Sequence, residues 1–231
     1  MKKTFRVGVW VIFTLILTAK LSAQSMVDLS VGTSHQDNFF ANFAYRYHVS
    51  NKFRVGIEGQ YGAAKYRFIG AKPITTGYAT SLGLPFTIRL AEKEQIRLDL
   101  YAKPGIRFQG VLDPDNNDER DSVLNSTAFS FETGLLVTVQ LTEKVNFQSG
   151  VTFPLFLQTQ PSSLFENIYP GLIHFGGNYL VSEKSMVFVK TAFGAAVGGD
   201  GDTQKFGWSL QGGIRYILGG KQMPTFVEPS F

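Results

Sequence analysis

From Ile96 to Phe108 the chain reads IRLDLYAKPGIRF. Ile96, Leu98, Leu100, Ala102, Ile106 and Phe108 alternate with Arg97, Asp99, Tyr101, Lys103, Gly105 and Arg107. A period of two puts the two sets on opposite faces of a β-strand. The pattern recurs along the chain. Phe53, Val55, Ile57 and Tyr61 oppose Arg54, Glu58 and Gln60; Leu82, Leu84, Phe86, Ile88 and Leu90 oppose Ser81, Thr87 and Arg89. Phe129, Phe131, Leu135, Val137 and Val139 oppose Ser130, Glu132, Thr138 and Gln140, and Val145, Phe147, Val151, Phe153 and Leu155 oppose Asn146, Gln148 and Thr152. The run 184–197 departs from the rule, because Met186 and Phe188 fall on the face opposite Val187, Val189 and Phe193.

Two kinds of break separate these runs. One is short and repetitive: Ser50-Asn51-Lys52, Ala91 to Gln95, Thr142-Glu143-Lys144 and Ser182-Glu183-Lys184. The other is more variable and often longer: His35 to Asn38, Ile69 to Thr75, Val111 to Thr127, Gln158 to Asn167 and Gly198 to Gln204. The two kinds alternate, so the chain predicts ten antiparallel strands, over 26–34, 39–49, 52–67, 76–90, 95–110, 128–141, 144–157, 168–181, 184–197 and 205–218. Eight strands is the alternative count. Sorting of short turns to one end and longer loops to the other is the habit of transmembrane barrels, and a soluble sandwich has no reason for it. Most of these strands exceed the ordinary globular length of about 5–6 residues and reach the roughly 9–11 a tilted membrane strand needs. Aromatics near strand ends, among them Tyr45, Tyr47, Phe53, Tyr66, Trp208 and Tyr216, suit interfacial girdles.

The N-terminus supports an envelope destination. MKKTFR precedes the apolar stretch Val7 to Ala19 and a small-x-small site ending at Ala23, the pattern of a cleaved secretory signal over 1–23. The apolar stretch is short for a membrane-spanning helix. Its removal takes Lys2, Lys3, Arg6 and Lys20 and no acid, so the 22 basic and 18 acidic residues become 18 of each. The neutral remainder gives no reason to expect a nucleic-acid partner. Without cysteine there is no disulfide, lipobox or thiolate metal site.

The final strand, FGWSLQGGIRYIL, ends in a polar-x-Gly-x-x-aromatic-x-hydrophobic pattern at Gln211, Gly213, Tyr216 and Leu218. This resembles the β-signal of outer-membrane barrels, and the chain as a whole resembles the small outer-membrane β-barrel proteins of the porin-like group common in Bacteroidota. The resemblance implies recognition of those four residues by the barrel-assembly machinery. It also implies a barrel over 24–218, embedded among outer-membrane lipid and lipopolysaccharide. The tail 219–231 departs from relatives that end on the strand; Pro224 and Pro229 disfavour a further strand there, so it is expected in the periplasm.

In that architecture the charged faces turn inward. Arg46, Arg54, Arg89, Arg97, Lys103, Arg107, Lys190 and Arg215 then line the lumen with Asp28, Glu58, Asp99 and Glu132, a basic excess inside a neutral protein. Narrow barrels fill their interior with side chains, which favours a structural or envelope-interaction role, without catalysis and with possible protein partners in the envelope. A ring of Arg and Lys biases an open pore toward anions, so a narrow passive channel for small anions is the alternative. A lipid-modifying barrel enzyme is the remote one: His48-Val49-Ser50-Asn51 faintly resembles the His-x-Ser-Asn stretch of lipid A deacylases, with Glu58 as the acid. That stretch sits in a short-turn slot, away from the outer leaflet. The acidic loop Asp113 to Asp121 fails as an EF-hand, which wants Gly at its sixth and Glu at its twelfth position where this chain has Asp118 and Leu124. A solvated loop is its simplest reading, and no metal site or cofactor is expected.

Overall fold

The computed structural model describes residues 25–34, 37–66, 75–112, 123–160, 164–198 and 204–218. The expected signal (1–23), the acidic loop Asp113 to Asp121, His35 and the tail (219–231) lie outside them. The described strands are β1 (Ser25–Ser34), β2 (Asp37–His48), β3 (Phe53–Tyr66), β4 (Thr75–Gly83), β5 (Phe86–Lys93), β6 (Ile96–Leu112), β7 (Val123–Gln140), β8 (Val145–Gln160), β9 (Leu164–Ser182), β10 (Ser185–Gly198) and β11 (Gln204–Ile217). Each pairs antiparallel with its neighbours, and β1 also pairs with β11, so the sheet closes on itself. β4 and β5 share one place in the ring, between β3 and β6, which makes a barrel of ten staves.

The single strand expected over 76–90 is therefore divided, at Leu84-Pro85. Proline has no N–H to give a ladder, and Pro104 lies at the same level on β6. The wall stays bonded by another route: the Gly56 amide donates to the Pro85 carbonyl at 2.8 Å and the Leu84 amide to the Pro104 carbonyl at 2.9 Å. The loop-side strand ends also differ from expectation. β6 runs to Leu112, β7 starts at Val123, β8 runs to Gln160 and β9 starts at Leu164. Backbone pairing continues past the alternating stretches, as in Leu112 opposite Val123.

The short turns are built alike. Ser50, Thr142 and Ser182 each accept, on the side-chain oxygen, the backbone N–H groups two and three residues ahead at 3.1–3.3 Å. This is the local hydroxyl-to-backbone bonding that favours Ser and Thr in turns. The fourth turn uses Glu94 in the left-handed region, with φ 47°.

Outside, the wall is apolar; inside, it is packed. Leu135 is 47% exposed and its neighbour Leu136 0%, as alternation across a barrel wall requires. No helix among the described residues is long and apolar enough to cross a membrane, a fact that does not bear on crossing by strands.

The seam between β1 and β11 runs from Met26 opposite Ile217 to Ser34 opposite Ser209. Asp28 faces Arg215 directly across it, and Arg215 donates from Nε to Oδ1 at 2.5 Å and from Nη2 to Oδ2 at 2.6 Å. Gln211 donates to Ser30 Oγ one step further along. Gly213 is needed here for space: a Cβ would stand under 3.0 Å from the Leu29 carbonyl oxygen, Ser30 Cβ and the Phe188 ring.

Two outcomes are predicted. Asp28→Ala strands a buried guanidinium and lowers stability by about 3–5 kcal/mol, read by urea titration of the folded barrel, while Asp28→Leu with Arg215→Met recovers most of the loss. Gly213→Ala impairs folding into detergent micelles with no assembly factor present; an unheated gel shift identical to wild type would show that the close packing at this residue is dispensable.

Candidate functional site: the lumen

The turn-side half of the lumen is filled. Arg97, Asp99, Leu136, Thr138 and Arg215 are wholly buried, and Met26, Met186 and Ile217 almost so. Arg46 of β2, Arg54 of β3, Gln148 of β8 and Asn178 of β9 complete the layer. Met186 and Phe188, which broke the sequence pattern, are part of this filling: both point inward and are buried. Arg97 Nε donates to Asp99 Oδ2 at 2.7 Å, and Arg54 Nη1 stands 3.8 Å from Asp99 Oδ1.

From this layer charges of alternating sign climb around the wall. Arg215 holds Asp28. Arg46 Nη2 lies 3.7 Å from Asp28 and 3.8 Å from Glu58. Lys103 Nζ joins Glu58 at 3.1 Å to Glu132 at 3.3 Å. Glu132 is bonded to Thr152, whose hydroxyl oxygen lies 2.6 Å from His174 Nε2. Neighbours of opposite sign satisfy one another here, which is the condition for keeping ions out of water.

Above the filled layer is a cavity of about 230 Å³. Its wall includes Glu58, Lys103, Glu132 and Lys190 at the lower edge and the Arg107–Asp37 pair toward the loops. Arg107 Nη2 donates to Asp37 Oδ1 at 2.7 Å and Nη1 to Oδ2 at 3.4 Å; Gln60 Nε2 donates to Oδ2 at 3.1 Å.

The residues expected inside divide into three groups. Arg54, Arg97, Asp99 and Arg215 lie in the turn-side layer, and Glu58, Lys103, Arg107, Glu132 and Lys190 line the cavity. Arg89 lies on β5 opposite Asp99, level with the turn-side layer but less completely buried than its members, and is paired with Glu92 at 2.7 Å, next to a register shift between Arg89 and Ala91. Asp37 is an interior carboxylate that alternation misses, because a register shift between Asp37 and Phe39 reverses its parity relative to Phe40, Asn42 and Arg46. With Asp37 inside and Arg89 held by Glu92, the expected basic excess shrinks. Of the last-strand pattern, Gln211 is buried inward and Gly213 packs at the seam, while Tyr216 and Leu218 are 48% and 57% exposed on the outer face.

The enzyme-like stretch is not assembled. Ser50 spends its hydroxyl oxygen on turn amides. Glu58 sits opposite Ala44, four residues and therefore about 13 Å along β2 from His48, and its carboxylate engages Lys103. Among the described residues no group of His and carboxylates is placed to hold a metal ion.

No family model and no curated protein matches this chain. Solved structures do. The translocator domain of autotransporter NalP from Neisseria meningitidis aligns over 93% of this chain and 97% of its own, at 11% identity and a TM-score of 0.53. The outer membrane protease OmpT from Escherichia coli aligns over 85% of this chain and 96% of its own, at 12% identity and a TM-score of 0.45. An outer membrane channel from Pseudomonas putida F1 aligns over 85% and 95%, at 9% identity and a TM-score of 0.49. At such identities the likeness is one of fold. A closed antiparallel wall, apolar outside and charged within, makes this chain an outer-membrane β-barrel protein.

Proposed function

We propose that the protein is a closed, non-catalytic barrel that works at its ends, in contact with other envelope components, and does not serve as a conduit. The observation that carries this is the turn-side layer, where Arg97, Asp99, Leu136 and Arg215 are wholly buried. A barrel this narrow holds side chains in preference to a water column. Mutual pairing of the interior charges supports the same reading, since guanidinium groups that already hold carboxylates offer little to a passing anion. Dispersal of His48, Ser50 and Glu58 supports the absence of catalysis.

In this proposal the leader 1–23 directs export, residues 24–218 form the membrane domain and 219–231 extend into the periplasm. The loop side meets lipopolysaccharide or an envelope protein. Tyr216 and Leu218, exposed on the outer face of the closing strand, are the members of the last-strand pattern that the assembly machinery reads; Gln211 and Gly213 act through packing and bonding at the seam.

The test is conductance of the folded protein in a planar bilayer under a salt gradient. The expected result is silence from wild type and ion steps from a triple variant, Arg97→Ala, Leu136→Gly and Met186→Gly, that hollows the layer. Reproducible anion-favouring steps from wild type, diminished by Arg107→Glu, would replace this reading with the narrow anion channel.

A further inference from the structure

The cavity above the filled layer has no part in closing the barrel. Its about 230 Å³ far exceeds the roughly 30 Å³ share of one water, so it has room for a small organic molecule. The chemistry of its wall narrows the class.

Charge comes first. Among the described residues, the cavity is lined by Lys103, Arg107 and Lys190 and by Asp37, Glu58 and Glu132, three ions of each sign. Arg107 is engaged with Asp37, and Lys103 with both Glu58 and Glu132. Lys190 Nζ stands 5.6 Å from the centre of the Phe188 ring. An ion competing for Arg107 or Lys103 would have to displace one of these partners and leave the other uncompensated, which is costly away from water. An uncharged guest displaces nothing.

Hydrogen bonding comes second. Asn42, Gln60, Ser81 and Ser130 point inward and are half-buried in the same wall. Amides and hydroxyls both give and accept, and a guest carrying several hydroxyl groups answers both needs at once. Shape comes third. Phe40 lines the cavity and is 5% exposed. Its ring lies over Gly32, where a Cβ would collide with it; glycine there lets the ring lie close against β1. The ring offers one flat apolar face, and Pro154, Leu172 and Ala192 add further apolar wall.

We infer that the cavity binds an uncharged polyhydroxylated ring of monosaccharide size, its hydroxyl edge toward Gln60, Ser81 and Ser130 and its C–H face toward Phe40. The inference rests on the closed-lumen reading, since the layer below makes the chamber a dead end where a guest rests without passing through.

Calorimetric titration of the full-length barrel, folded in detergent and verified by its gel shift, tests it. The probes are glucose, galactose and mannose, with gluconate and glucosamine as charged counterparts of similar size. The expected result is saturable binding of at least one neutral hexose and at least roughly tenfold weaker binding of the charged counterparts, as the unfavourable displacement of a buried ion partner requires. Ser130→Trp, which fills the chamber, abolishes it, and Gln60→Ala weakens it about two- to tenfold, the worth of one net hydrogen bond. Ser81→Leu is the second filling variant should Ser130→Trp not fold. Binding of no hexose, equal binding of the charged sugars, or binding indifferent to a folded filling variant would each overturn the inference. Conductance of the same preparation separates the two readings. A silent barrel that binds no hexose fails this inference alone. A conducting barrel blocked by hexose fails the closed-lumen reading alone, and a conducting barrel indifferent to hexose fails both.

Discussion

Hydrocarbon cannot replace a missing hydrogen bond, so every stave of this wall must be bonded on both sides. The seam between β1 and β11 meets that demand for the whole ring: were it open, each of the two strands would present a row of unbonded amides to lipid. Strand pairing is reinforced there by the Asp28–Arg215 pair and by the bond from Gln211 to Ser30, both inside the wall. Closure and interior charge are thus one arrangement. The register that brings the first and last strands together also delivers the guanidinium to its carboxylate.

The interior follows from the same constraint. A closed ring of ten staves leaves a narrow lumen, and whatever points into it loses water. Near the turns the chain fills that space with a mixture of Arg–Asp pairs and apolar groups, Met26, Leu136, Met186 and Ile217. Nearer the loops the side chains become shorter and the filling incomplete. Ser81 and Ser130 stand around the cavity on staves that leave room beside its longer ionic side chains.

Much of this was legible in the sequence because a barrel wall has two solvents. The period-two pattern of IRLDLYAKPGIRF sorts Arg97, Asp99, Lys103 and Arg107 to the lumen without reference to any other strand. What alternation could not convey were places where the backbone slips. The shift between Asp37 and Phe39 reversed the parity of a carboxylate that anchors the upper ion pair. Pro85 hinted at the divided stave, yet the apolar residues around it, Leu82, Leu84, Phe86 and Ile88, keep their alternation straight through the break. Met186 and Phe188 looked like an error in a strand because a lumen was expected to be polar. They fit once part of the lumen is recognised as a packed core. The cavity left no trace in the sequence, since it arises from what eight or more strands jointly omit.

The filled layer also has an electrical meaning. If the lumen is closed as proposed, a potential difference across the membrane falls over this thin slab of packed methionine, leucine and paired guanidinium groups and little elsewhere in the lumen. Displacing one elementary charge through it is worth about 2.3 kcal/mol per 100 mV. Arg97, Asp99 and Arg215 stand within the drop, whereas the Arg107–Asp37 pair stands above it. On the proposed closed lumen, the barrel is an insulator with its resistance concentrated near the turn-side rim, and whatever occupies the chamber above is geometrically within the membrane but electrically on its loop side.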